Sequence, residues 1–181
     1  MYLAYAFGLL RPGTELPTFG EPTPFDRDLS EHTDDDLDLL IDEGRRQLDR
    51  QLHDLDSVRD RAGTLLTLGL AEVALLAASG QPAWSGPWWL ASIWAVAAAC
   101  AFLAAAGAAS LLAGRADLGR TDARLAANQD PPIKGPLALG YLSVVAIGEE
   151  TVRTRLTVLR SAATLAVLAA LIYVPVFVAA S

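Results

Sequence analysis

Hydrophobic and polar positions are segregated along this chain in blocks. From Ala62 to Gly114 there is no Lys, Arg or Asp, and Glu72 is the one charge. The first part of that window, Ala62–Ser79, is 18 residues long, the lower limit for a helix that crosses a bilayer. Gly80–Gly86 predicts a short uncharged turn. Pro87–Ala113 then gives 27 residues, enough for a second span with some tilt. Ser161–Ala180 adds 20 uncharged residues, a third span in which Pro175 is tolerated near the end. Leu137–Ile147 is an apolar stretch of 11, too short to cross. It packs either on the membrane surface or against the first helix, and the pattern leaves helix or strand open. Gly148-Glu149-Glu150 then reads as the restart of a helix that carries Arg153, Arg155 and Arg160 into the third span.

The polar blocks have their own periodicity. Ser30 and Thr33 are N-cap residues, and Asp34, Asp35 and Asp36 fill the first turn that follows, where the helix dipole favours acids. Leu37, Ile41, Leu48, Leu55, Val58, Ala62 and Leu65 recur at spacings of three, four or seven, close to a heptad seam. Gly44 and Gln51 are flaws in it. No Pro or strong stop separates this helix from the first apolar run, so one helix is expected from about Asp34 to Ala78. At 1.5 Å per residue its polar part extends roughly 42 Å. Before it, Pro12, Pro17, Pro22 and Pro24 stand among Gly and Thr, which predicts a flexible tail. The apolar Met1–Leu10 lacks the basic flank of a signal peptide. Arg115–Ala127 reads as polar helix, and Asp130-Pro131-Pro132 as its break.

The resulting division is a tail over 1–32, a cytoplasmic amphipathic helix over 33–61, spans over 62–79, 87–113 and 161–180, and a cytoplasmic segment over 114–160. The fold class is an all-α membrane protein with three transmembrane helices, the long N-terminal cytoplasmic helix continuing into the first span. All 14 Lys and Arg lie in residues 1–61 or 115–160. The positive-inside rule therefore puts the N-terminus and the central segment in the cytoplasm and the C-terminus outside. Trp84, Trp88, Trp89 and Tyr173 fall near the outer ends of the spans, where aromatic belts belong.

Composition narrows the function. Hydrophobic residues make up 52% of the 181, which excludes a disordered chain. The net charge of −7 is concentrated at the N-terminal end, where residues 1–61 hold 15 acids and 7 bases. That balance argues against a nucleic-acid partner. Thirteen Arg against a single Lys, in an Ala-rich chain, fits a GC-rich bacterial genome. The lone Cys100 excludes a disulfide framework and reads as an inert residue of an Ala-rich helix.

No phosphate loop, dinucleotide fingerprint or nucleophile elbow occurs, so no enzyme, cofactor or metal is expected. Asp34-Asp35-Asp36-Leu37-Asp38 matches the DDxxD pattern of magnesium-diphosphate sites but lacks the second acidic motif such sites need. His32 and His53 stand too far apart to share a ligand. Glu72 is the sharpest candidate, because an ionisable residue inside a span is expensive and functional by default. Either it is simply protonated, since desolvation disfavours the charged form, or it lines a path or gate, or it bonds to Thr67, Ser92, Ser110 or Thr164. Ala97, Ala101, Ala105 and Ala109, with Gly107 nearby, offer small-residue packing. Together with the seam residues Ile41, Leu48, Leu55 and Val58 they point either to a homo-oligomer or to packing within one chain.

The cytoplasmic helix running into a hairpin (LDRQLHDLDSVRDRAGTLLTLGLAEVALLAAS, from Leu48) and the segment GEETVRTRLTVLRSAATLAVLAALIY, from Gly148, resemble the Pycsar membrane effectors and the related SLATT-type proteins. The resemblance covers roughly residues 45–180. It implies a bacterial inner-membrane, antiphage-type effector whose cytoplasmic part senses a nucleotide signal or a protein, and whose spans perturb the bilayer. The competing expectation is an accessory or scaffold subunit that docks a cytoplasmic partner through the acidic helix.

Overall fold

The computed structural model describes residues 2–8, 29, 31–114 and 132–180. Among them the secondary structure is helical, without strand: α1 (Tyr2–Gly8), α2 (Asp34–Ser85), α3 (Trp88–Ala113) and α4 (Lys134–Ala180). Three of these, α2, α3 and α4, are long and apolar enough to cross a membrane. Ser30 and residues 115–131, expected to hold a cap and a polar helix, lie outside the described residues, as does most of the tail.

Three boundaries differ from those the pattern predicts. Residues 2–8 are a helix rather than part of a flexible tail, because Tyr5 and Ala6 find burial. α2 runs on to Ser85, and α3 starts at Trp88. The turn between them is Gly86-Pro87, and Pro87 opens α3 with its carbonyl accepting from the Leu90 N–H at 2.9 Å. The restart expected at Gly148 is absent. α4 is one helix of 47 residues, so the 137–147 stretch is helical.

The chain folds as two compact units. One comprises Met1–Pro17, Ser57–Gly114 and Arg155–Ser181, and the other Thr18–Asp56 and Arg115–Thr154. In the first, α1, α3 and the apolar lengths of α2 and α4 form a bundle whose core is built from small residues. Ala62, Ala97, Ala101, Ala104, Ala108 and Ala162 are fully buried there, among Val58, Leu65, Leu111 and Val158. Alanine lets helix backbones approach closely, which is how helices associate where no water drives them together. A Cβ added at Gly69 would lie 3.2 Å from that of Ala105, so α2 and α3 approach closely there. Many other large side chains of the same helices point outward, with Leu68, Leu70, Leu75, Val96, Phe102, Val167, Leu171 and Phe177 all more than half exposed.

In the second unit the polar half of α2 packs on the first turns of α4. Leu37 and Ile41 are buried against Ala138 and Leu29. Of the two sites that 137–147 was expected to take, it takes the first helix. Thr33 caps α2: its hydroxyl accepts from the Asp36 N–H at 3.3 Å, and the Asp36 carboxylate accepts from the Thr33 N–H at 3.1 Å and its hydroxyl at 2.6 Å. This reciprocal box satisfies donors that a helix start leaves open.

Candidate functional site

The heptad seam is used within the chain. Ile41 packs on Ala138, and Val58 joins the cluster holding Val158, Leu159 and Ala162. Leu55 is buried at 3% exposure, while Leu48 is half-buried. The two flaws in the seam are its tightest contacts. Gly44 faces Tyr141, whose Cβ would be only 3.0 Å from a side chain added there. The Tyr141 hydroxyl accepts from Arg45 Nε at 3.2 Å, and the Arg45 guanidinium stands 5.6 Å from the Tyr141 ring centre. Gln51 donates from Nε2 to the Val145 carbonyl at 2.9 Å. Its amide fills the place that a Cβ at Gly148 would need. Gly148 sits inside α4 at a helix-propensity cost of roughly 1 kcal/mol, and a side chain there would have to displace the Gln51 amide.

The acids of the DDxxD pattern have structural partners. Asp36 belongs to the cap, and hydrogen bonds from Thr33 hold its carboxyl below the usual range. Lys134 Nζ pairs with Asp38 at 2.8 Å and with Asp34 at 3.5 Å. Those two carboxylates, Asp38 first by its hydrogen bond, raise the Lys134 ammonium above its ordinary value. Among the described residues no group of three His, Cys, Asp or Glu is arranged to hold a metal ion. His32 and His53 are exposed, and Cys100 is a half-buried free thiol.

Glu72 stands in the membrane-type bundle. Ala62, Leu65, Gly69, Leu76 and Gly80 form the buried stripe of α2, and Glu72, three residues after Gly69 and four before Leu76, falls on that stripe. Its Oε2 atom is buried without a hydrogen-bond partner among the described residues. Each hydroxyl expected to meet it bonds within its own helix instead. Thr67 donates to the Gly63 carbonyl at 3.1 Å, Ser92 to Trp88 at 3.0 Å, Ser110 to Gly107 at 2.7 Å and Thr164 to Arg160 at 2.9 Å.

Two features escape the sequence pattern. Arg155 is buried at 4% exposure and donates to the carbonyls of Leu111 at 3.3 Å and Gly114 at 2.9 Å. It thus closes the C-terminal end of α3, where carbonyls lack helical partners and the dipole favours a cation. The signal that marks it is register, since Arg155 shares the buried stripe Thr151, Arg155, Val158, Ala162, Ala166 and Ala169. The second feature is α1. The Tyr2 hydroxyl donates to the Leu103 carbonyl at 2.9 Å, and a Cβ at Gly107 would come within 2.9 Å of the Tyr2 ring. Gly107 is thus the seat of Tyr2 on α3. Elsewhere on the bundle, a groove between Ser92, Ile93, Val96, Leu171, Ile172 and Pro175 measures about 540 Å³ and is apolar apart from Ser92.

Among the described residues these features define an all-helical fold with three helices suited to a bilayer, a bundle with a largely alanine core and one carboxyl on its buried stripe. No protein-family model, curated protein or solved structure matches the chain.

Proposed function

We propose that this chain is a non-enzymatic, multi-pass protein of the bacterial inner membrane, with residues 1–61 and 114–160 in the cytoplasm and the C-terminus outside. The membrane assignment is carried by one observation: most fully buried positions of the bundle are alanine, while Leu68, Leu70, Leu75, Val96, Phe102, Val167, Leu171 and Phe177 form an exposed apolar surface. An apolar belt of that kind is a liability in water and the expected surface in lipid. The orientation is supported by the bases, which avoid the 79–86 turn and everything after Arg160. Exposed Trp84, Trp88 and Trp89 suit the outer interface. A reporter fused after Ser181 should be active only outside the cytoplasm; cytoplasmic activity overturns the orientation.

Its action is on the bilayer, as an effector that perturbs the membrane when triggered through its cytoplasmic part. The resemblance to Pycsar and SLATT-type proteins implies this, and the alanine-packed interior supports it, because three spans with one ionisable residue offer no polar path for a solute. Self-association in this reading uses the lipid-facing surfaces, the heptad face being covered by α4. Expression with the neighbouring genes should depolarise the membrane on triggering. Unchanged polarisation under every trigger removes the effector reading.

The second reading, a scaffold subunit, is favoured by the exposed face of α2, where Asp35, Asp49 and Asp54 accompany the exposed Leu39 and Leu52. A stoichiometric cytoplasmic partner without membrane leak would select it.

A further inference from the structure

Glu72 is half-buried on a stripe of α2 whose flanking residues pack on apolar partners. One turn before it on α2, Gly69 meets Ala105. One turn after it, Leu76 is buried with Ala97, Ala101 and Ala169. Its buried oxygen has no partner among the described residues. On the elements of this bundle the other titratable or charged groups near the apolar layer are Cys100 on α3, Tyr2 and Tyr5 on α1, and Arg155 and Tyr173 on α4; Arg155 is engaged by the Leu111 and Gly114 carbonyls at the end of α3. Tyr2 is committed to the Leu103 carbonyl and Tyr173 to the Leu75 carbonyl. No Lys, Arg or His lies between Ala62 and Gly114 or between Ser161 and Ala180. An ionised carboxylate needs donors or a cation, and a buried one without either loses its charge by binding a proton.

We propose that Glu72 is a proton-binding site of the membrane bundle: its carboxyl holds a proton while α2, α3 and α4 are packed, and gives it up only when water reaches it. The structural alternative, a carboxylate pinned by a neighbouring hydroxyl, has no support from Thr67, Ser92, Ser110 or Thr164, whose hydroxyls bond within their own helices. The residue is half-buried, so a lipid-soluble reagent reaches the carboxyl from the side of the bundle. The inference rests on the membrane reading above, and its test separates the two.

The full chain is reconstituted in phosphatidylcholine vesicles, floated, and treated at pH 7 with dicyclohexylcarbodiimide. This reagent needs the protonated acid. The carboxyl proton moves to one carbodiimide nitrogen as a carboxyl oxygen bonds the central carbon, and the acyl group then migrates from oxygen to nitrogen. The product is a stable N-acylurea that contains the whole reagent; nothing leaves and nothing is oxidised. Peptide mass analysis should find the adduct at Glu72, with Glu43 and Asp49 unlabelled, and Glu72→Gln should abolish it. In the untreated wild type, infrared spectroscopy should show a protonated-acid carbonyl band that survives at pH 7 and disappears in Glu72→Gln. Vesicles that float with the protein but yield neither adduct nor band overturn the proton site. Protein that fails to float overturns the membrane reading instead.

Discussion

The two compact units solve packing in opposite ways. In the unit built from Thr18–Asp56 and Arg115–Thr154, large aliphatic side chains such as Leu37 and Ile41 point inward and charges point outward. In the unit holding Ser57–Gly114 and Arg155–Ser181, alanine takes most of the fully buried positions beside a few large aliphatics such as Val58, Leu111 and Val158, and many other large aliphatics point outward. Water rewards the first arrangement, because burying apolar area is worth roughly 25 cal/mol per Å². Lipid removes that reward, leaving close backbone approach as the source of cohesion. The same pair of helices, α2 and α4, changes from one rule to the other along its length.

The sharpest way to break this contrast is to shorten an aliphatic in each unit. Ile41→Ala should destabilise the polar unit by about 2–5 kcal/mol, the cost of a large-to-small change in a core. Leu171→Ala, on the bundle's exposed face at 64%, should change stability by less than about 0.5 kcal/mol. Thermal unfolding followed by circular dichroism in detergent measures both. Equal losses would mean that the bundle's outer face is packed against protein.

Arg155 tests whether the bundle also depends on a polar contact. Arg155→Met keeps length and removes the donors to Leu111 and Gly114. Hydrogen bonds to a charged group are worth about 1.5–3 kcal/mol, and a loss in that range is expected in the same unfolding experiment, with hydrogen exchange rising first at the end of α3. A loss confined below about 0.5 kcal/mol would show that solvent takes over the two carbonyls.

What the sequence made legible follows the same division. The spans stand out because lipid demands long runs of one kind of residue, and Glu72 stands out as the exception inside them. The seam positions Ile41, Leu55 and Val58 were legible as a buried face, since period alone marks burial. What covers them was only half legible, as one of two places for 137–147, because helix α4 meets α2 through Gly44 and Gln51, which look like defects until Tyr141 and Gly148 are in place. Arg155 reads as one more basic residue before a span, and only its register reveals burial. Seven residues of α1 are too few to display a period, so its docking on Gly107 left no trace. That Glu72 lacks a partner depends on where four hydroxyls point, which no spacing specifies.

Glycines sharpen the comparison further. Gly107→Ala places a methyl against the Tyr2 ring, 2.9 Å from its nearest ring carbon, and overpacking of this kind costs about 1–3 kcal/mol. α1 should detach, with Tyr2 becoming accessible to iodination. Gly63→Ala meets nothing within 4 Å and should instead stabilise α2 by about 0.5–1 kcal/mol through helix propensity. Two glycine-to-alanine changes of opposite sign would establish that close approach, rather than propensity, keeps glycine at 107.

The smallest expected effect is the pH response of the polar unit. Asp36 is held below its ordinary value by Thr33. Its contribution is therefore full above the unfolded value of about 3.9 and is lost as pH falls through the lower, folded value. Lys134 is raised by Asp38 and Asp34. Its contribution is full below about 10.4 and is lost as pH rises through the higher, folded value. Both groups are solvent-exposed, so each effect is small and fades with added salt. Hydrogen exchange at the first turns of α2 and α4 should therefore quicken at both extremes and stay flat between them. Thr33→Ala should remove the acid limb and itself weaken the start of α2 by about 1 kcal/mol. Lys134→Met should remove the alkaline limb alone. Amides of α3, which contains no charged residue, should follow neither limb; if they do, the two units unfold as one and the contrast between them is structural but not energetic.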